Sequence, residues 1–156
     1  MSSNNQSDAI DNLQRRLNRL TDQVEQTKIL AAQPMVRELR KLQNPIPLGR
    51  SEFRVFSQFG DDGIIQYSIN RLNLPPAERR FVEFGVENYQ EANTRFLLLN
   101  DNWSGLIMDG SESCISEVRS EALYWRHDLM ALADSSGERI LILLSRKPDF
   151  PGESDY

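Results

Sequence analysis

The sequence predicts an α/β fold: a parallel sheet flanked by helices and preceded by a separate N-terminal helix. Three observations predict it. From Ser51 onward, short apolar runs ending in an acid or a glycine alternate with amphipathic stretches, giving the order strand, helix, strand, helix, strand of a parallel sheet. Near the N-terminus, Ile10, Leu13, Leu17, Leu20 and Val24 recur at spacings of 3, 4, 3 and 4, which is the seam of a coiled coil. Between the two patterns, Pro45, Pro47 and Gly49 disfavour both helix and sheet and mark a linker.

The elements follow in chain order. Residues 1–9 are polar and Ser/Asn-rich and are expected to be disordered. Residues 10–33 form the expected coiled-coil or oligomerisation helix, with Arg15, Arg16, Arg19, Asp22 and Gln23 on the solvated side. Its seam fades at Thr27 and Ala31, and Pro34 is expected to end it. The alternative is an amphipathic helix packed on its own domain. Residues 34–50 are assigned to a linker around a short helical piece, Met35–Leu42.

Residues 51–156 are assigned to a partial domain of three to four parallel strands. Asp61 or Asp62 can cap a first helix whose buried face is Ile64, Ile65, Ile69 and Leu72. Phe81–Gly85 reads as a strand, Asn88–Asn102 as a helix, and Trp103–Asp109 as a second strand. Ser111–Leu123 is expected to be helical, and Tyr124–Leu129 to be the third strand. Arg139–Ser145 fits either a fourth strand or a short helix.

Composition removes several classes of function. The 156 residues carry 18 Lys+Arg against 23 Asp+Glu, a formal charge of -5. With a pI near 5.0, the chain lacks the basic excess that phosphate neutralisation needs, so nucleic acid is not an expected partner. Cys114 is the only cysteine and His127 the only histidine, which excludes an internal disulfide and a multi-His or thiolate metal cluster. Apolar runs such as Phe96–Leu99 and Ile140–Leu144 fall far short of the ~20 residues of a membrane span. The opening SSNNQSD lacks the basic-then-apolar pattern of a signal peptide. The expectation is a soluble, cytoplasmic protein.

Ligands of open parallel sheets bind beyond the carboxyl ends of the strands. Three such ends are read here: Glu83 to Asn88 around Gly85, Asp109 with Gly110, and Asp128. Asp109 follows Gly85 by 24 residues, close to the spacing of about 20 at which a carboxylate takes ribose hydroxyls. A nucleoside-containing cofactor is therefore expected. Neither G-x-G-x-x-G nor a P-loop is present, and Glu83 and Glu87 would face the place where a pyrophosphate meets a helix N-terminus. S-adenosylmethionine has no phosphate, and its ammonium and sulfonium are cationic, so an acidic first loop suits it better than NAD or ATP.

The segments SQFGDDGII, FVEFGVENYQEANTRFLLLNDNWSGLIMDGS and YWRHDL resemble the N-terminal half of bacterial S-adenosylmethionine-dependent methyltransferase-like proteins related to the FkbM type. The resemblance covers roughly residues 51–133 and implies a Rossmann-like fold, often in company with surface-polysaccharide biosynthesis. It places Glu83, Gly85 and Glu87 in the methionine-binding loop, Asp109 on the ribose with Gly110 allowing close approach, and Asp128 near the adenine. It matches Asn93 and Thr94 to residues that brace the loop, and Ser57, Gln58 and Asp62 to a segment over the cofactor.

Members of that family continue into a carboxylate-bearing fourth strand and three more strands. Here Arg146, Lys147 and Pro148 follow Ser145, with Asp149 only a loose substitute. The chain is thus expected to be a truncated methyltransferase with no assigned catalytic base; in an intact relative the acceptor would be a small molecule or saccharide.

Plainer roles stand beside these. Asp109 could cap the next helix, Glu83 and Glu87 could be exposed acids at a helix N-terminus, and Asp128 could pair with Arg126. His127 reads as a packed or surface residue and Cys114 as a helix residue without a His/Asp partner nearby in sequence, neither as a catalyst; Trp103 and Trp125 read as core or sheet-packing residues. The competing function is a non-enzymatic oligomeric interaction protein, a homo-oligomer through residues 10–31 whose α/β part is a relic. A sugar-nucleotide binder is a weaker third reading, opposed by Glu83 and Glu87.

Overall fold

In the computed structural model, the structure describes residues 2–121 and 126–134. Helix α1 (Ser2–Lys41) is followed by α2 (Asp61–Leu72), β1 (Arg80–Phe84), α3 (Arg95–Asp101), β2 (Ser104–Asp109), α4 (Glu112–Ser120) and β3 (Leu129–Ala133). Short 3-10 turns at Leu48–Arg50 and Pro76–Glu78 interrupt the connections. The sheet has three strands in the order β1-β2-β3, all parallel, with Phe81 opposite Gly105 and Gly105 opposite Leu129. The α/β class and the parallel sheet agree with the expectation.

The main core forms where helices cover one face of the sheet. Phe81 and Ile107 pack with Leu97, Leu98, Ile115 and Val118, and Trp103 is buried with them. Gly105 is required by this packing, because a Cβ there would lie 2.1 Å from the Phe81 ring. A second core joins α1 to the rest: Ala32 and Val36 pack on Val55, Phe56 and Phe96, with Phe53 edge-on to Phe96 at 6.1 Å.

Several elements depart from the sequence reading. Helix α1 begins at Ser2, within the stretch expected to be disordered, and continues through Pro34 to Lys41. A proline inside a helix removes a hydrogen bond and costs about 3 kcal/mol. Burial of Ala32, Val36 and Leu39 on either side of Pro34 offsets that cost, so the linker shrinks to the stretch after Lys41. The alternative reading of α1 also applies in part: its C-terminal half packs on its own domain, while residues 6–24 are exposed.

Helix α2 starts after Gly60, and Leu72 is exposed rather than buried. Helix α3 is much shorter than expected, because residues 88–93 form a loop. Ser111 caps α4 by accepting the Cys114 N–H at 3.3 Å, as a helix start between strand and helix requires.

The third strand lies at Leu129–Ala133 and not at 124–129. Parallel register sets the run LMALA beside Gly105–Asp109, and it supplies five consecutive apolar side chains where YWRHDL does not. Trp125 and the segment 139–145 lie outside the described residues. No helix among the described residues is long and apolar enough to cross a membrane.

Candidate functional site at the strand ends

The carboxyl ends of β1, β2 and β3 bring Gly85, Asp109 and Asp134 to one end of the sheet. Gly85 continues the ladder by donating its N–H to the Met108 carbonyl at 2.9 Å, then turns with φ +68°. The loop that follows holds two further left-handed residues, Glu87 at φ +49° and Tyr89 at φ +61°. Non-glycine residues in that region are strained and persist only where their surroundings hold them. Here the holds are visible. Asp109 accepts the Glu87 N–H at 2.8 Å, and Tyr89 is fully buried with its hydroxyl 3.0 Å from Thr94 Oγ1. Burial drives the Tyr89 phenol well above the usual tyrosine range, with the nearby Glu83 charge adding to the rise.

Asp109 is the centre of the arrangement. One carboxylate oxygen takes the Glu87 N–H and the other the Ser111 N–H at 2.8 Å, so this half-buried acid latches the first loop to the second. An ionised carboxylate has about four lone-pair positions, so acceptor capacity remains for ribose hydroxyls. Gly110 is exposed, and a Cβ there would meet nothing within 4 Å, so the second loop is open to a ligand. The Asp134 N–H donates to the Asp109 carbonyl at 3.0 Å, which puts a third acid beside the first two strand ends.

Glu83 does something the sequence reading missed. Its carboxylate turns to the start of α3, where it accepts the Asn93 N–H at 2.9 Å, the Thr94 N–H at 3.0 Å and the Thr94 hydroxyl. Thr94 makes no side-chain cap of its own, so Glu83 caps the helix from the neighbouring strand. A pyrophosphate in a dinucleotide fold uses those same N–H donors. In this chain they are already bonded to an anion.

Asp128 is not brought to the site. It precedes β3, and its carbonyl accepts the Gly105 N–H at 2.9 Å, at the amino end of the sheet. Four residues of strand, about 13 Å, separate Gly105 from Asp109. The shift of β3 along the sequence is the cause, and Asp134 takes the strand-end place expected of Asp128. The signal for it was the acid closing the run LMALA.

Ser57 and Asp62 also have an internal role. One buried oxygen of Asp62 accepts the N–H groups of Val55, Phe56 and Ser57 at 2.7–2.8 Å and the Ser57 hydroxyl at 2.7 Å. These bonds fold the segment before α2 onto the α1 core, while Gln58 stays exposed. Arg54 in the same segment reaches Glu91 of the first loop at 2.7 Å, so the segment does border that loop.

Arg95 is the other residue that sequence reasoning overlooked. It is 4% exposed and joins three elements: Glu25 of α1 at 3.0 and 3.1 Å, the Tyr89 carbonyl at 3.1 Å, and Glu121 at 3.4 Å. Its guanidinium also faces the Phe56 and Tyr89 rings. A buried arginine must find several partners, but nothing in the spacing of N-T-R-F predicts which ones.

A polar cavity of about 200 Å³, lined by Arg40, Gln66, Asn70, Arg79, Asp101 and Trp103, lies by the start of β2, away from the strand ends. Asp101 is occupied there by Arg40 and Gln66. Among the described residues no cluster of three or more His, Cys, Asp or Glu could hold a metal ion. Cys114 is a half-buried free thiol on α4. Comparison with protein-family models, with curated proteins and with solved structures finds no match for this chain.

Proposed function

We propose that this chain is an S-adenosylmethionine-binding, methyltransferase-like protein of the Rossmann-like class. The observation that carries the reading is the pairing of two carboxylates at the strand ends. Asp109 stands where ribose hydroxyls are taken, while Glu83 fills the helix N-terminus that a pyrophosphate would need. This combination favours a nucleoside cofactor without phosphates and disfavours NAD, ATP and sugar nucleotides. The exposed Glu87 suits a ligand with cationic ammonium and sulfonium groups.

In this reading Asp109 and Gly110 hold the ribose, and the Gly85–Glu87 turn receives the methionine end. Glu83 supports that turn through Asn93 and Thr94 rather than touching the ligand. The cofactor supplies an electrophilic methyl when bound. The protein's contribution is positioning, with a small-molecule or saccharide acceptor approaching in line. None of the described side chains is assigned as a base. In this reading the protein works in the cytoplasm.

A titration with S-adenosylhomocysteine tests this. Asp109→Ala is expected to weaken binding by about 10- to 100-fold, the loss of one or two charge-assisted hydrogen bonds. Asp128→Ala is expected to leave it within about twofold, because that residue lies at the opposite end of the sheet. Equal losses in the two variants would contradict the site.

A second reading rests on a different observation. The apolar seam of α1 is exposed, which favours an interaction protein in which α1 is the working part.

A further inference from the structure

Helix α1 carries two stripes on different sides. Glu25, Ile29, Ala32, Val36 and Leu39 face the globular part. The other stripe, Ile10, Leu13, Leu17, Leu20 and Val24, is 57–63% exposed, and Thr27 and Ala31 extend it on the exposed side. At 3.6 residues per turn the stripes lie roughly 120° apart. Docking of the domain therefore leaves the seam open even where the two stripes overlap along the chain.

We propose that this seam pairs in parallel with the same seam of a second copy of the chain, as a two-stranded coiled coil over residues 10–31. The proposal names the partner of the interaction reading and is independent of the cofactor reading. Three features select a second copy. In heptad terms Ile10, Leu17, Val24 and Ala31 occupy a, and Leu13, Leu20 and Thr27 occupy d. Ile10 and Val24 at a with Leu13 and Leu20 at d follow the pattern of β-branched a and leucine d that favours parallel two-stranded pairing; Leu17, Thr27 and Ala31 do not add to it.

Size along the seam points the same way. The large residues fall in its first half and the small Thr27 and Ala31 in its second. Parallel pairing matches each layer with itself; antiparallel pairing sets Ile10 and Leu13 against Ala31 and Thr27. The flanking charges also permit a self-match: Arg16 would meet Thr21, and Gln23 would meet Lys28, with no like-charged pair.

Length is the remaining requirement. Residues 10–31 span about 33 Å, three heptads, which is short for an isolated coiled coil. Here the helix is already held on its domain from Glu25 to Leu39, so the costly first turn is formed before pairing. The seam needs only to propagate toward the N-terminus.

Sedimentation equilibrium on the full chain is expected to give twice the chain mass of 18.0 kDa. Leu17→Glu with Leu20→Glu is expected to halve it, while Arg15→Glu, on the far side of α1, leaves it unchanged. Ile10→Cys in a Cys114→Ser background is expected to form a disulfide-linked dimer on oxidation, since only parallel pairing brings the two copies of position 10 together. A monomeric or trimeric wild type overturns the proposal. So does a dimer that survives the double glutamate change, or one that resists cross-linking at position 10. These outcomes leave the S-adenosylhomocysteine titration untouched, so failure of the dimer and failure of the cofactor reading are separately visible.

Discussion

At the scale of single residues, carboxylates act here chiefly as backbone acceptors. Asp62, Glu83 and Asp109 each gather main-chain N–H groups that no helix or sheet ladder satisfies. Charge-assisted bonds of this kind contribute about 1.5–3 kcal/mol each, and the donors left behind incur a further cost when buried. Glu83→Gln keeps the shape but removes the charge at the start of α3. It is expected to lower unfolding free energy by about 1–2 kcal/mol, read by urea denaturation. Arg95→Met is expected to cost more, about 3–5 kcal/mol, because Glu25 and Glu121 lose a buried partner. A double change with Glu25→Gln should recover part of that loss, which a double-mutant cycle measures.

At the scale of elements, legibility depended on whether neighbours in sequence set the structure. The runs FVEF and SGLIMD were readable because apolar residues, then an acid or glycine, leave few alternatives to a strand end. Asp109 was legible for the same reason. The aromatic pair Tyr124 and Trp125 gives 124–129 a local strand pattern, whereas inter-strand register selects LMALA. Helix α3 was overextended because its true start depends on Glu83, ten residues upstream and on another element. Neither register nor a cap from a neighbouring strand has a local signature.

Pro34 gives the same lesson for α1. Local propensity says stop, and burial of Val36 and Leu39 keeps the helix going. Pro34→Ala is therefore expected to raise stability by about 1–3 kcal/mol, seen as a higher denaturation midpoint with an unchanged slope. If Pro34 were a true helix end, the substitution would leave the midpoint nearly unaltered.

At the scale of the whole molecule, α1 docks its C-terminal half on the domain and leaves its N-terminal seam exposed. His127 reports on the packing around Arg95. Burial, then the charge of Arg95, lowers its pKa below the usual histidine value. The folded state thus prefers neutral imidazole, and the contribution is present above about pH 6.5 and lost as pH falls through the folded pKa. With a single histidine in the chain, the thermal midpoint is expected to drop between neutral pH and about pH 5.5, and His127→Asn is expected to flatten that drop.

Asp109, with acceptor capacity left beside its two main-chain donors, and Glu83, bonded at the start of α3, support the proposed nucleoside site without phosphates. Equilibrium dialysis of S-adenosylmethionine against the full chain, with ADP-ribose as competitor, tests that site. Saturable binding with a dissociation constant below about 1 mM and no displacement by ADP-ribose are expected. Absence of binding at that concentration, or ready displacement by the pyrophosphate compound, would contradict it.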